Sequence, residues 1–239
     1  AGEDPQPIPD ARVRITDPEN GRILEEAVTD ASGQTPFIEL PAPPIEFSVA
    51  EGESEQRPYA VYNVTISAGD RETLHIGGVE VMPTGRSIQR AALAPARTGG
   101  FNVRNLRLAP HALWGNPVAQ EPEEQVKPLP EPGGLVVLPE PVIPEFVVVH
   151  DGRPDDASAP NYWVRFKDYI KNVACSEIYS TWRTEAIKAN VLAILSFTLN
   201  RVYTEWYRGK GYDFTITSST AFDQSYSHDR TIFQEIGVV

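Results

Sequence analysis

The stretch Phe166-Lys-Asp-Tyr-Ile-Lys-Asn-Val-Ala-Cys-Ser-Glu177 repeats apolar residues at spacings of three and four: Phe166, Tyr169, Ile170, Val173 and Ala174. That spacing predicts a helix with one buried stripe, ending near Glu177 or Ile178. Ser180 or Thr181 is then placed to cap a second helix, with Glu185 in its first turn. The second helix is expected from about Trp182 to about Arg208, closed by Gly209-Lys210-Gly211. Its centre, Val191 to Phe197, is apolar on nearly all sides, which predicts a buried helix.

Glu177 lies seven residues beyond Ile170 and four beyond Val173, so it continues the apolar stripe. A carboxylate there is partly desolvated, and the negative end of the helix dipole disfavours its charge. Both effects raise its pKa, as a general acid for glycosidic cleavage requires. A second reading has Glu177 simply accepting from the exposed amides at the start of the next helix. Cys175, two residues earlier, has no histidine placed beside it and reads as a small core residue. His228 is expected in a surface loop. Trp182, Tyr203, Trp206 and Tyr207 are core aromatics at helical spacing or platforms for sugar rings.

Moving outward, Phe146-Val-Val-Val149 reads as the first strand of the same domain, followed by a polar loop over 154–161. Upstream, residues 96–145 hold no long periodic segment, and eight prolines fall between Pro117 and Pro144. This segment reads as a semi-rigid connector, interrupted by Leu135-Val-Val-Leu138, with possible recognition by a proline-binding partner as the other reading. Residues 10–95 alternate polar and apolar in short runs: Arg12–Thr16, Ile23–Thr29, Phe37–Leu40, Glu46–Val49, Tyr59–Ser67, Glu72–Ile76 and Ser87–Leu93. The turns Asp17-Pro-Glu-Asn-Gly21 and Asp30-Ala-Ser-Gly33 separate the first three. No helical period shows there, and the spacing predicts a β-sandwich. Asn63-Val-Thr65 matches a glycosylation acceptor but sits inside a predicted strand.

Composition agrees with this division. Of 22 prolines, twenty precede Glu145. Residues 1–150 carry 22 acidic and 11 basic side chains, a net of −11; residues 151–239 carry 11 and 10, a net of −1; together they give −12. That charge argues against nucleic-acid or anionic-membrane partners. No apolar run reaches membrane-spanning length. One cysteine and four scattered histidines (75, 111, 150, 228) offer neither a disulfide framework nor a zinc site, and no cofactor is expected. The chain begins Ala1-Gly-Glu-Asp-Pro5, with no basic-then-apolar leader, as after removal of a signal segment; Ile236-Gly-Val-Val239 reads like the start of a strand that continues.

Two segments of the chain resemble known families. Ala11-Arg-Val-Arg-Ile-Thr-Asp17, Thr29-Asp-Ala-Ser-Gly33 and Tyr62-Asn-Val-Thr-Ile-Ser-Ala68 resemble the carboxypeptidase regulatory-like family. That resemblance implies a prealbumin-like sandwich serving as an accessory module without chemistry. Asp168 to Ile178, Trp182-Arg-Thr-Glu-Ala-Ile-Lys188-Ala-Asn190, Ala193-Ile-Leu-Ser-Phe197 and Gln224-Ser-Tyr226 are similar to the stage II sporulation protein D and amidase-enhancer family. The whole arrangement also resembles multi-domain peptidoglycan-binding proteins of spore-forming anaerobes. The second family implies a lytic transglycosylase acting on bare peptidoglycan glycan strands. One glutamate serves as acid and then base, and the sugar's own hydroxymethyl oxygen displaces the leaving group. Glu177 stands at the catalytic position; Gln224, Tyr226 and Lys188 would bind substrate. This chain departs from the family pattern at Leu195, where an arginine is usual, at Ile178 for methionine, and at Arg183 for proline.

The expectation is a multi-domain α+β protein: a tail over 1–9, an all-β sandwich over 10–95, a proline-rich connector over 96–145, and a helix-containing α+β domain over 146–239 that is incomplete at its C-terminal end. Its expected place is the cell envelope or spore surface, with glycan strands as partner and without nucleic acid. The competing reading is a non-catalytic extracellular binding protein or a surface-assembly subunit.

Overall fold

A computed structural model describes residues 6–49, 56–97, 102–115, 118–121 and 138–239. It is a mixed α+β structure with several sheets. The chain divides into two compact units, one of residues 1–109 with 229–231, the other of 110–228 with 232–239. Most of the proline-rich stretch, including Leu135 to Val137, lies outside the described residues.

The first unit is built on a five-stranded sheet of β1 (Arg12–Thr16), β2 (Ile23–Val28), β3 (Ala60–Ser67), β4 (Thr73–Val81) and β6 (Val103–Arg107), in the order β2-β1-β3-β4-β6. β5 (Ser87–Ile88) lies between β4 and β6 in sequence. Neighbours are antiparallel except β4 and β6, which run parallel. Period-two alternation puts Val13, Ile15, Tyr62, Val64, Ile66, Leu74 and Ile76 on one buried face. Segments without strand structure, carrying Ile8, Ile38, Leu40, Leu93 and Leu108, cover that face. Gly78 interrupts the β3–β4 register as a bulge with φ +88, and a Cβ there would lie 2.9 Å from the Leu108 carbonyl oxygen.

Four expectations change here, the first being Ser87–Leu93, of which only Ser87–Ile88 forms a strand. Phe37–Leu40 is not a strand, because Pro36 and Pro41 bound it and cannot donate to a ladder. Glu46–Val49 forms a single helical turn, α1. The segment read as connector supplies β6, whose short run Val-Arg-Asn-Leu-Arg is paired by tertiary context. The predicted turns form as read: Asp30 Oδ1 accepts from Ser32 N–H, Ser32 Oγ and Gln34 N–H, and those bonds hold its carboxyl below the ordinary value.

The second unit has a three-stranded sheet, β8-β7-β9, of β7 (Phe146–His150), β8 (Asn161–Arg165) and β9 (Ile216–Thr217). α2 (Phe166–Glu177) buries Phe166, Tyr169, Ile170, Val173, Ala174 and Cys175, the stripe read from the sequence. β10 (Ile232–Phe233) and α4 (Gln234–Gly237) pack on α2, with Phe233 N–H 3.3 Å from Cys175 Sγ. α3 spans Thr184–Tyr203 and packs on α2.

α3 corrects the sequence reading at both ends and in the middle. Its N-cap is Arg183, with no side-chain cap. Ser180 and Thr181 do not cap it: the turn after α2 folds inward, and both hydroxyls are buried with no hydrogen-bond partner among the described residues. The helix stops at Tyr203 rather than near Arg208. Glu205 adopts the left-handed conformation (φ 47), and bonds from Glu205 N–H to Val202 O (3.2 Å) and Trp206 N–H to Arg201 O (3.2 Å) complete a Schellman motif. Gly211 instead ends a 3₁₀ turn over Arg208–Lys210. Nor is the helix buried all round. Ile187, Ile194, Thr198, Arg201 and Val202 form one inward stripe, while Leu192 is 63% exposed.

Candidate functional site

Glu177 is the last residue of α2, half-buried, with Oε1 accepting the Ser225 N–H at 2.7 Å. Burial holds its carboxyl above the ordinary glutamate value, and the Ser225 amide pulls the other way without cancelling it. Of the two readings of Glu177, the reach to the start of α3 is not what forms. Its partner comes from a segment 48 residues on. The helix end around it is satisfied by neighbours sequence reading did not assign. Ser176 carbonyl accepts from Ala112 N–H at 2.8 Å, and His111 Nε2 lies 3.3 Å from Ile178 O. His111 Nδ1 accepts from Leu113 N–H at 3.2 Å, so the ring carries its proton on Nε2, and it packs 4.5 Å from Tyr179.

The segment that meets Glu177, residues 223–227, is tied down at nearly every position. Asp223 Oδ1 accepts from Arg201 Nε at 2.9 Å; Oδ2 accepts from Tyr207 OH (2.6 Å), Thr217 Oγ1 (2.7 Å) and Thr217 N–H (3.0 Å). The ion pair is enclosed, its side chains 4% and 0% exposed. Burial, and then Asp223, pushes the Tyr207 phenol well above its usual value. Gln224 Oε1 accepts from Tyr169 OH at 3.1 Å and from Thr198 Oγ1 at 2.9 Å, while Gln224 Nε2 donates to Ile194 O at 3.1 Å. Asn172 bonds Ser227 on both sides, donating to its carbonyl at 2.7 Å and accepting its N–H at 3.0 Å. Tyr226 stacks on Tyr169, ring centroids 5.6 Å apart.

Of the sequence candidates, Glu177, Gln224 and Tyr226 therefore share one neighbourhood. Gln224 and Tyr226 are both 7% exposed, and the side-chain amide of Gln224 is spent inside the core. Lys188 is exposed on α3. His228 is half-buried and stacked on Tyr162 at 3.8 Å, not free in a surface loop. Trp206 and Tyr207 are core, with Phe214 and Val148. Asn172, Thr198, Arg201 and Asp223 escaped sequence reading because polar residues in helices and turns carry no periodic signal. A cleft of this unit, lined by Phe146, Glu205, Trp206 and Arg208 among others, does not include Glu177. No helix among the described residues is long and apolar enough to cross a membrane.

Residues 159–235 match the family model described as Stage II sporulation protein. No curated protein and no solved structure matches the chain. The matched region holds Glu177, Lys188, Gln224 and Tyr226, and points to a sporulation- or cell-wall-related function.

Proposed function

We propose that the second unit works on the glycan strands of peptidoglycan, with Glu177 as the acid and then the base of a lytic transglycosylase-type cleavage. The observation that carries this is the setting of Glu177: a half-buried carboxyl at a helix C-terminus, its affinity for a proton raised, engaged through one oxygen. In this reading the protonated carboxyl gives its proton to the glycosidic oxygen as the C1–O bond breaks. The carboxylate left behind takes a proton from the sugar's 6-hydroxyl as that oxygen bonds to C1. The product is a 1,6-anhydro sugar, and no second carboxylate or water is consumed, unlike the two-carboxylate hydrolases. Lys188 is the proposed surface contact for the strand. Gln224 and Tyr226 act from within, shaping the wall behind Glu177.

A second reading, binding without cleavage, draws support from Leu195, which stands where the resembling family has an arginine, and from the interior placement of Gln224 and Tyr226. We read the first unit as an accessory module of carboxypeptidase regulatory-like type and the whole protein as one of the cell envelope or spore surface. Incubating denuded glycan strands with the wild type and with Glu177→Gln tests cleavage, read as anhydro-muramyl ends. Sedimentation with purified peptidoglycan tests binding.

A further inference from the structure

The two oxygens of Glu177 differ. Oε1 accepts the Ser225 N–H at 2.7 Å; Oε2 has no donor among the described residues. In a neutral carboxyl the oxygen accepting an N–H acts as the carbonyl oxygen, and the proton belongs to the other. How firmly the Ser225 N–H is aimed decides how strictly that assignment holds. The backbone before Ser225 is fixed by the four bonds to Asp223 and the three around Gln224; the backbone after it is fixed by Asn172 through Ser227. An enclosed ion pair such as Arg201–Asp223 adds little net stability over an apolar pair of the same shape, since desolvation offsets the attraction. What it does supply is one geometry.

We propose that Asp223 is a positioning residue: its anchor to Arg201, Tyr207 and Thr217 holds the Ser225 N–H on Oε1 of Glu177 and so assigns Oε2 as the oxygen that carries the proton to the scissile bond. Only the last clause rests on the acid and base reading above. Burial first, and then the neighbouring Asp223, Glu177, Tyr226 and Tyr207, hold the Tyr169 phenol protonated well above its usual value.

The test follows the Ser225 amide and the Glu177 carboxyl carbon by NMR across pH in the full chain. An amide that donates to a carboxyl moves downfield as it ionises. In the wild type the two signals titrate with one midpoint. In Asp223→Asn the Ser225 excursion shrinks as the N–H support weakens; the Glu177 midpoint is read in the charge-neutral change Tyr207→Phe, where it rises. Tyr207→Phe, which removes one donor and keeps the ion pair, shrinks the excursion less and carries the test if Asp223→Asn fails to fold. Val202→Ala, a core truncation outside the anchor, leaves both signals as in the wild type. The proposal is overturned if Ser225 does not titrate with Glu177, or if Tyr207→Phe leaves excursion and midpoint unchanged. These readouts need no substrate. A wild type that fails to cleave glycan defeats the functional reading and leaves this result standing.

Discussion

Replacing Arg201 by Met takes the Arg201 charge from the enclosed Asp223 carboxylate and keeps the Tyr207 OH and the two Thr217 donors on it. Removing one partner of a buried pair costs about 3–5 kcal/mol, and three surviving hydrogen bonds place this case at about 3 kcal/mol. At roughly 2–4 °C per kcal/mol for a chain of this size, the melting temperature of the second unit falls by about 6–12 °C. Arg201 also lies over the Phe197 and Trp206 rings at 4.4 and 4.8 Å, contacts that the Met side chain partly replaces, so packing is not the main loss. The double variant Arg201→Met, Asp223→Leu removes both charges but takes the acceptor from Tyr207 OH and the two Thr217 donors, so it does not recover the deficit. The exposed pair Arg165–Glu145, 3.7 Å apart with side chains 61% and 74% exposed, is the control; Arg165→Met changes stability by less than about 1 kcal/mol. Urea unfolding of the three variants measures all of this. A loss under about 1 kcal/mol for Arg201→Met, equal to the control, would refute the claim that Asp223 is an enclosed charge.

The folded protein holds the Glu177 proton more tightly than the unfolded chain, so stability is lost as pH rises from the ordinary value of 4.5 through the raised folded value. Glu177→Gln is therefore more stable than the wild type near pH 7 and loses that advantage near pH 4, as paired unfolding curves will show. Glu205→Gly relieves a left-handed non-glycine residue in the α3 Schellman motif and stabilises by about 0.5–1 kcal/mol in the same assay. Thr198→Val removes one donor to Gln224 and costs about 1 kcal/mol. In the first unit, Arg230 and Glu80 pair at 2.6 Å with side chains 2% and 3% exposed, and Arg230→Met lowers its stability by about 3–5 kcal/mol.

The sequence carried α2 closely, because its apolar stripe ends where the helix ends, and with it the buried setting of Glu177. β1, β2, β3 and β4 were legible from alternation and from the Asp17 and Asp30 turns. The end of α3 was not. Residues 182–208 keep helical spacing past Tyr203, and only the unlikely left-handed Glu205 stops them. Its capping misled for a related reason: Ser180 and Thr181 are good N-cap residues by type, but the turn that carries them faces the core. Gln224 was placed as a ligand by the family resemblance alone, whereas Tyr169, Thr198 and Ile194 hold its side-chain amide inside. Asp223 and Arg201 lie 22 residues apart, and no local pattern links them.

Glu177 is proposed as a proton-holding acid serving glycan cleavage. Denuded glycan strands incubated with wild type and with Glu177→Gln, and analysed by mass spectrometry for 1,6-anhydro-muramyl ends, test it most directly. These products are expected from the wild type, none from Glu177→Gln, with a rate that falls as pH rises through the raised Glu177 value. Products at equal rates from both proteins, or none from a folded wild type, would contradict it.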